Sequence, residues 1–293
     1  MNIKNFYISN ISSLYNNKKI KKGIFSYKKA YGFDEKNNES LFRRILISLL
    51  EEAQLTINLI PINSNNKSIL EVGGGVGLVY GYLKNKGLNI ISIEPGEKGY
   101  DKSYKTGVEI LKVLKINTSG WYKYKAEEVQ KINKQFDIII SNNVLEHIPK
   151  IEQAICSLKD VLTKDGIMIH SCPNYLIPYE CHYKIWIIPF FPTLVEILYP
   201  ELKTESLWKN LNFLTSMRIK NICKNNGLQI EFKKNMIFET FKRFDYNVEF
   251  RKRQKQLWLL YLIIKKIGIL NIFKYIPGEL STPMVFKAKP KSL

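Results

Sequence analysis

Two hydrophobic spacings divide this chain. Leu41, Phe42, Ile45, Leu46, Leu49 and Leu50 recur at three- and four-residue steps, which predicts a helix over about 39–59 closed by Pro61. Beyond it the apolar residues gather into short runs. These are Ile69-Leu70, Ile90-Ile91 with Ile93, Ile138 to Ile140, and Ile167 to Ile169. Runs of this length with helix-like stretches between them predict buried parallel strands, so 67–174 reads as one α/β domain. Asp165-Gly166 predicts a turn between a helix end and the strand ending at Ile169. Two further strands are predicted at 228–234 and 283–289. The late run 257–264 stops at Lys265 and Lys266 after eight residues, too short to cross a bilayer, and reads as a buried or interfacial helix. Residues 1–37 are basic and Asn-rich, and their role is not legible in the sequence.

The strand at 69–70 runs into Glu71 and then Gly73, Gly75 and Gly77. Glycines at this spacing let a backbone turn from strand to helix and approach a ligand closely. No Lys followed by Ser or Thr completes a phosphate-binding loop, because Leu78, Val79 and Tyr80 follow Gly77. The dinucleotide fingerprint is weakened too, since Leu78 or Tyr80 stands where its third small residue belongs. Glu94 ends the next apolar run, 23 residues after Glu71, at a distance where an acid can take ribose hydroxyls. Asn142 and Asn143 then follow the strand at 138–140 and precede a predicted helix start.

An acid with three alternating glycines, Glu94, the segment 136–149 and the segment 161–174, in this order, resemble the class I S-adenosylmethionine-dependent methyltransferases. The resemblance covers about 67–175. It implies a Rossmann-like α/β fold with a mainly parallel seven-stranded sheet, helices on both faces and a helical lid or insertion. It implies S-adenosyl-L-methionine as cofactor, with Gly73, Gly75 and Gly77 turning against its methionine end and Glu71 positioning the ammonium group. Glu94 is the implied ribose ligand, the backbone N–H of Ala126 or Glu127 faces the adenine, and Asn142 and Asn143 line the methionine side. Lys125 departs from the pattern, in which an acid often precedes that alanine, and this puts the adenine amino contact in doubt. The implied organisation is a leader and covering helix at 1–62, then a methyltransferase domain at 63–293 with a lid at 174–215 and a helical insertion at 235–280.

Composition changes this picture little. The net charge of +19 invites a nucleic-acid or membrane partner, yet only six of the 45 basic residues are arginine, the residue that reads phosphate and base edges bidentately. Specific nucleic acid is therefore not expected. Basic residues from 251 to 274 flank the late apolar run, which suits either packing on the domain or peripheral contact with an anionic membrane. Four cysteines without zinc-type pairing predict a reduced, cytoplasmic setting and no metal.

The segment 174–200 is expected to border the acceptor, because ligands of open α/β sheets bind beyond the carboxyl ends of strands. It holds Tyr175, Tyr179, Glu180, His182, Tyr183 and Trp186, and with 211–228 it resembles methyltransferases of bacterial cell-surface polysaccharide clusters. Glu180 and His182 pair as an orienting carboxylate and a base, with His147 as a further candidate for touching the acceptor. For both His147 and His170 the ordinary structural role is the commoner one. The leading reading is O-methylation of a sugar or glycan intermediate, whose apolar face stacks on aromatic rings. A lipid or quinone acceptor at the inner membrane face, an RNA acceptor, and a non-catalytic cofactor-binding protein are the alternatives.

Overall fold

The computed structural model describes residues 2–97 and 102–291. Three short helices come first, α1 (Ile3–Ile8), α2 (Ile11–Asn16) and α3 (Lys18–Phe25), followed by α4 (Glu39–Ile57). An asparagine stands at the start of all four, and three of them cap through the side chain. Asn2, Asn17 and Asn38 each accept a hydrogen bond from the first-turn backbone through the side chain, satisfying donors that a helix start leaves open.

The alternating part follows as β1 (Ile69–Val72), α5 (Leu78–Asn85), β2 (Ile90–Ile93), α6 (Ser103–Val113), β3 (Trp121–Tyr122), β4 (Phe136–Asn142), α7 (Ile151–Asp160) and β5 (Leu162–Cys172). A two-stranded hairpin, β6 (Tyr179–Glu180) and β7 (Ile185–Trp186), precedes α8 (Ser206–Lys209), α9 (Ser216–Asn225) and β8 (Leu228–Phe232). The chain then forms α10 (Met236–Tyr246), α11 (Val248–Arg253) and α12 (Lys255–Ile267), and closes with β9 (Met284–Pro290). The main sheet has seven strands in the order β3-β2-β1-β4-β5-β9-β8 and is flanked by helices. β1 pairs in parallel with β2 and β4, β2 in parallel with β3, and β8 antiparallel with β9. This is the mainly parallel seven-stranded sheet that the resemblance implies, made mixed by the antiparallel β8–β9 pair.

Contacts divide the chain into two compact units, one of residues 1–142 and 152–169, the other of 143–151 and 170–293. The first has a core of strand residues such as Ile69, Ile90 and Ile138 together with Phe42, Ile45 and Leu46 of α4. The leader belongs to this core. Ile3, Tyr7, Leu14, Ile20 and Ile24 are buried in it, and the Tyr7 hydroxyl donates to the Leu78 carbonyl at 2.8 Å. Among the described residues of the second unit are two smaller clusters, one around Tyr175, Ile187 and Trp208, the other around Phe244 and Tyr261.

Two sequence expectations need correction. The strand β5 spans Leu162–Cys172, so it ends at Cys172 rather than Ile169. The chain folds back within it at Asp165-Gly166, since a Cβ on Gly166 would stand 2.7 Å from the Leu162 side chain, closer than four extended residues allow. After Asn143 a 3₁₀ turn over Leu145–His147 intervenes before α7 starts at Ile151.

Candidate functional site

In the first unit, β1 ends at Val72 and the chain turns into α5 through Gly73, Gly75 and Gly77, all with positive φ (75°, 56° and 77°). An L side chain rarely adopts that conformation, which is why glycine stands at these places. Gly74 serves a different need. A Cβ on it would lie 2.1 Å from Ser92 Oγ and 2.6 Å from the Trp121 ring, so the loop packs directly on β2 and β3. Gly74→Ala is therefore expected to lower the unfolding free energy by about 1–3 kcal/mol, the usual cost of overpacking, read as a fall in denaturant midpoint.

Glu94 sits directly below this loop. Its carboxylate accepts hydrogen bonds from Gly75 N–H at 2.9 Å and from Gly96 N–H at 2.8 Å. Glu71 is buried beside it, and Glu71 Oε2 has no hydrogen-bond partner among the described residues. Burial raises both carboxyls to about 7, and the neighbouring Glu94 charge adds to the rise at Glu71. A buried oxygen left without a donor fits a group that carries N–H or O–H, as the ammonium end and the ribose of S-adenosylmethionine both do. Ala126 begins a 3₁₀ helix, Ala126–Ile132, and is buried, while Glu127 is half-buried. Lys125 forms an ion pair with Glu97 at 3.0 Å, so an acid does reach this part of the loop, supplied by a residue that sequence reasoning passed over. Asn142 ends β4 half-buried, with its side-chain amide donating to the Glu52 carbonyl at 3.5 Å.

The second unit contains the other candidates. Asn143 is exposed, takes a left-handed φ of 54°, and donates its backbone N–H to Ser171 O at 2.8 Å. Glu180 ends β6 and is fully buried. Its Oε1 lies 2.6 Å from His182 Nδ1 and accepts from the Tyr175 hydroxyl at 3.2 Å, and its Oε2 accepts from Tyr183 N–H at 2.6 Å. Three partners therefore fix the carboxylate, and the carboxylate fixes the ring. Burial opposes charge on His182, but the Cys181 sulfur and the Glu180 carboxylate outweigh it and hold the ring well above its ordinary pKa. Burial also pushes the Cys181 thiol up, so the carboxylate is the lasting anionic partner.

The structure brings His147 to the same place, with its ring centroid 5.1 Å from that of His182. Burial, with His182 adding, lowers His147 to about 3 and keeps it neutral. Beside it lies Glu146, fully buried, which sequence reasoning did not single out. The turn carrying both is clamped by Asn212, whose side-chain amide donates to Leu145 O at 2.6 Å and Ile148 O at 2.8 Å. No local signal marks Asn212, which lies more than 60 residues away in sequence. His170 is buried against Phe286 and takes a structural place. The aromatic residues of the segment are largely spent on packing. Tyr175 and Tyr179 are buried, with the Tyr179 hydroxyl donating to Gln254 Oε1 at 2.7 Å, whereas Trp186, Phe190 and Phe191 are exposed.

A family model described as a methyltransferase domain matches residues 41–231. An uncharacterised protein of Mycobacterium tuberculosis, Rv1509, is 30% identical over 231 residues, covering 74% of this chain and 76% of its own. A ubiquinone biosynthesis O-methyltransferase of Rickettsia canadensis is 26% identical over 59% of this chain and 67% of its own. Among solved structures, phosphoethanolamine N-methyltransferase 2 of Haemonchus contortus with S-adenosyl-L-methionine is similar in fold, with a TM-score of 0.51 and 15% identity. That likeness covers 99% of this chain, which spans 60% of the other.

Proposed function

The chain belongs to the methyltransferase-domain family and is an S-adenosylmethionine-dependent methyltransferase, and from that premise we propose that it methylates a hydroxyl oxygen whose proton leaves through the Glu180–His182 pair. The observation that carries this reading is the 2.6 Å bond from His182 Nδ1 to a fully buried carboxylate. It makes Nε2 the ring nitrogen that takes a proton once the ring, which the pair holds charged, has given its own Nε2 proton to solvent, in the manner of a base oriented by a third group. The cofactor, when bound, supplies a methyl on a sulfonium that needs no further activation. Glu71 meets its ammonium group and Glu94 its ribose. Asn142, Asn143 and the backbone at Ala126 and Glu127 keep the places that the resemblance gives them.

Both carboxylates must be ionised to do this work, yet both protonate near pH 7 in the free protein. Below that pH, binding has to expel protons. Cofactor affinity is therefore expected to fall from pH 8 to pH 6, by about tenfold per pH unit for each carboxylate below its pKa. Calorimetry in buffers of different ionisation enthalpy reads both the loss and the proton release. A flat affinity over this range would show that neither carboxylate meets the cofactor.

The acceptor is a lipid-soluble hydroxyl compound presented at a membrane surface. Tyr175 and Tyr179, rings expected to stack on a sugar, are committed to internal hydrogen bonds. The same segment instead exposes Phe190, Phe191, Ile197 and Leu198, each by 63% or more, and α12 and the residues after it expose Leu259, Ile263, Ile267 and Tyr275 among lysines. Apolar residues exposed in such numbers mark an interaction surface, and basic residues beside them suit anionic lipid headgroups. Among the described residues no single helix is long and apolar enough to cross a membrane; only the bent pair Lys255–Ile267 and Ile269–Tyr275 passes by length and composition. The similarity to ubiquinone biosynthesis O-methyltransferases supports an acceptor of this class. A glycan intermediate is the second reading, supported by the exposed Trp186 ring and the half-buried Tyr183. The test offers labelled donor with hydroxylated quinones in anionic vesicles, nucleotide sugars, and RNA, each alone. Incorporation into the vesicle-borne compound is expected; incorporation only into sugar or RNA would overturn the choice of acceptor.

A further inference from the structure

We propose that Glu146, His147 and His182 form a binding site for one divalent transition-metal ion of the zinc type. One donor atom from each residue can be chosen so that all three lie within 4.8 Å of one another. Glu146 Oε1 and His147 Nε2 are 3.8 Å apart. Bonds of 2.0–2.2 Å to a tetrahedral centre place ligands about 3.4 Å apart, so modest rotations of the imidazole rings close the cluster. Two imidazoles and a carboxylate are the donors of catalytic zinc sites and suit zinc, cobalt or iron rather than magnesium or calcium.

A second, independent observation points the same way. A histidine that binds a metal through one nitrogen usually gives its other N–H to a carboxylate, and His182 does this with Glu180 at 2.6 Å. Glu180 is itself held by Tyr175 and Tyr183, which marks it as a support to the ring. Asn212 fixes the turn that carries Glu146 and His147. Glu146 has no exposed surface, whereas the His147 and His182 side chains keep 14% and 19%. An ion there therefore has an open side at the rings and a closed one at the carboxylate. Sequence reasoning expected no metal because it weighed cysteine spacing, and none of these three ligands is a cysteine.

The inference deepens the proposed function and rests on it for its consequence. With the cation bound, His182 Nε2 has released its proton to solvent and is a ligand, and an acceptor hydroxyl at the open position also loses its proton to solvent. Without the cation, the same nitrogen is the base.

The test is equilibrium dialysis of the chelator-stripped full chain against Co²⁺, with visible absorption spectra. One Co²⁺ per chain is expected, with the visible bands of a low-coordinate site, displaced by Zn²⁺. Affinity should fall at least tenfold in His147→Ala and in Glu146→Gln, and 10- to 100-fold in Glu180→Gln with the stoichiometry kept at one. Cofactor binding by the same variants, read by calorimetry, verifies that they are folded. No bound Co²⁺, or equal binding by His147→Ala combined with Glu146→Gln, would overturn the site. Methyl transfer on the same preparations separates the two readings. Transfer by a chain that binds no Co²⁺ overturns the site and leaves the function standing, whereas Co²⁺ held by a chain that methylates no hydroxyl supports the site and overturns the function.

Discussion

His182→Ala is expected to lower methyl transfer by about 10²–10⁴ while cofactor binding stays at the wild-type level. The size follows from what the ring supplies. An acceptor hydroxyl is a poor nucleophile until its proton leaves, and a positioned base is worth about that factor. The separation of effects follows from role, since Glu71 and Glu94 are the residues proposed to meet the cofactor and His182 the one proposed to meet the acceptor. His182→Gln offers a finer comparison: it keeps a polar side chain near Glu180 but has no nitrogen able to take a proton. Its turnover should stay near that of the alanine variant. Glu180→Gln should lose less, because the ring remains and only its orientation and charge partner are weakened. Unchanged turnover in His182→Ala would remove the pair from the chemistry and move the proton to another group.

The sequence made the sheet legible for a local reason. Ile69-Leu70, Ile90-Ile91 and Ile138 to Ile140 are short apolar runs ended by turn residues, and such runs are buried strands wherever they fall. The glycine loop was legible through backbone sterics, which act within a few residues. The Glu180–His182 contact was also readable, because the two residues stand two apart on a short hairpin. What was not readable depends on distant partners. Tyr7 and Ile24 lie on helices of six and eight residues, too short for a period to declare itself, and their burial comes from α4 and the strand core. Glu146 was passed over because its neighbourhood is made by His182 and Asn212, far along the chain. The lid aromatics were assigned to an acceptor from the segment's place after a strand and from its composition, whereas the structure turns Tyr175 and Tyr179 inward.

Glu94→Ala is expected to weaken S-adenosylmethionine binding by about 1.5–3 kcal/mol, roughly 10- to 150-fold, from the loss of charged hydrogen bonds to the ribose alone. The structure gives a reason to expect the upper end. Glu94 also accepts from Gly75 N–H and Gly96 N–H, so the carboxylate ties the glycine loop to the end of β2 before any ligand arrives. Its removal leaves two backbone donors to find water and releases a loop whose shape the cofactor must then restore. Ordering that loop is charged against binding. Glu94→Gln separates the two roles, since its amide oxygen can still accept from one glycine N–H while the negative charge is gone. If the loop is the larger part, Gln recovers much of the affinity that Ala loses. If the charge on the ribose is the larger part, the two variants bind alike, and both lose the pH dependence that Glu94 contributes near 7. Calorimetry of the three proteins at pH 8 and pH 6 decides between these, and wild-type affinity in Glu94→Ala would show that the ribose is held elsewhere.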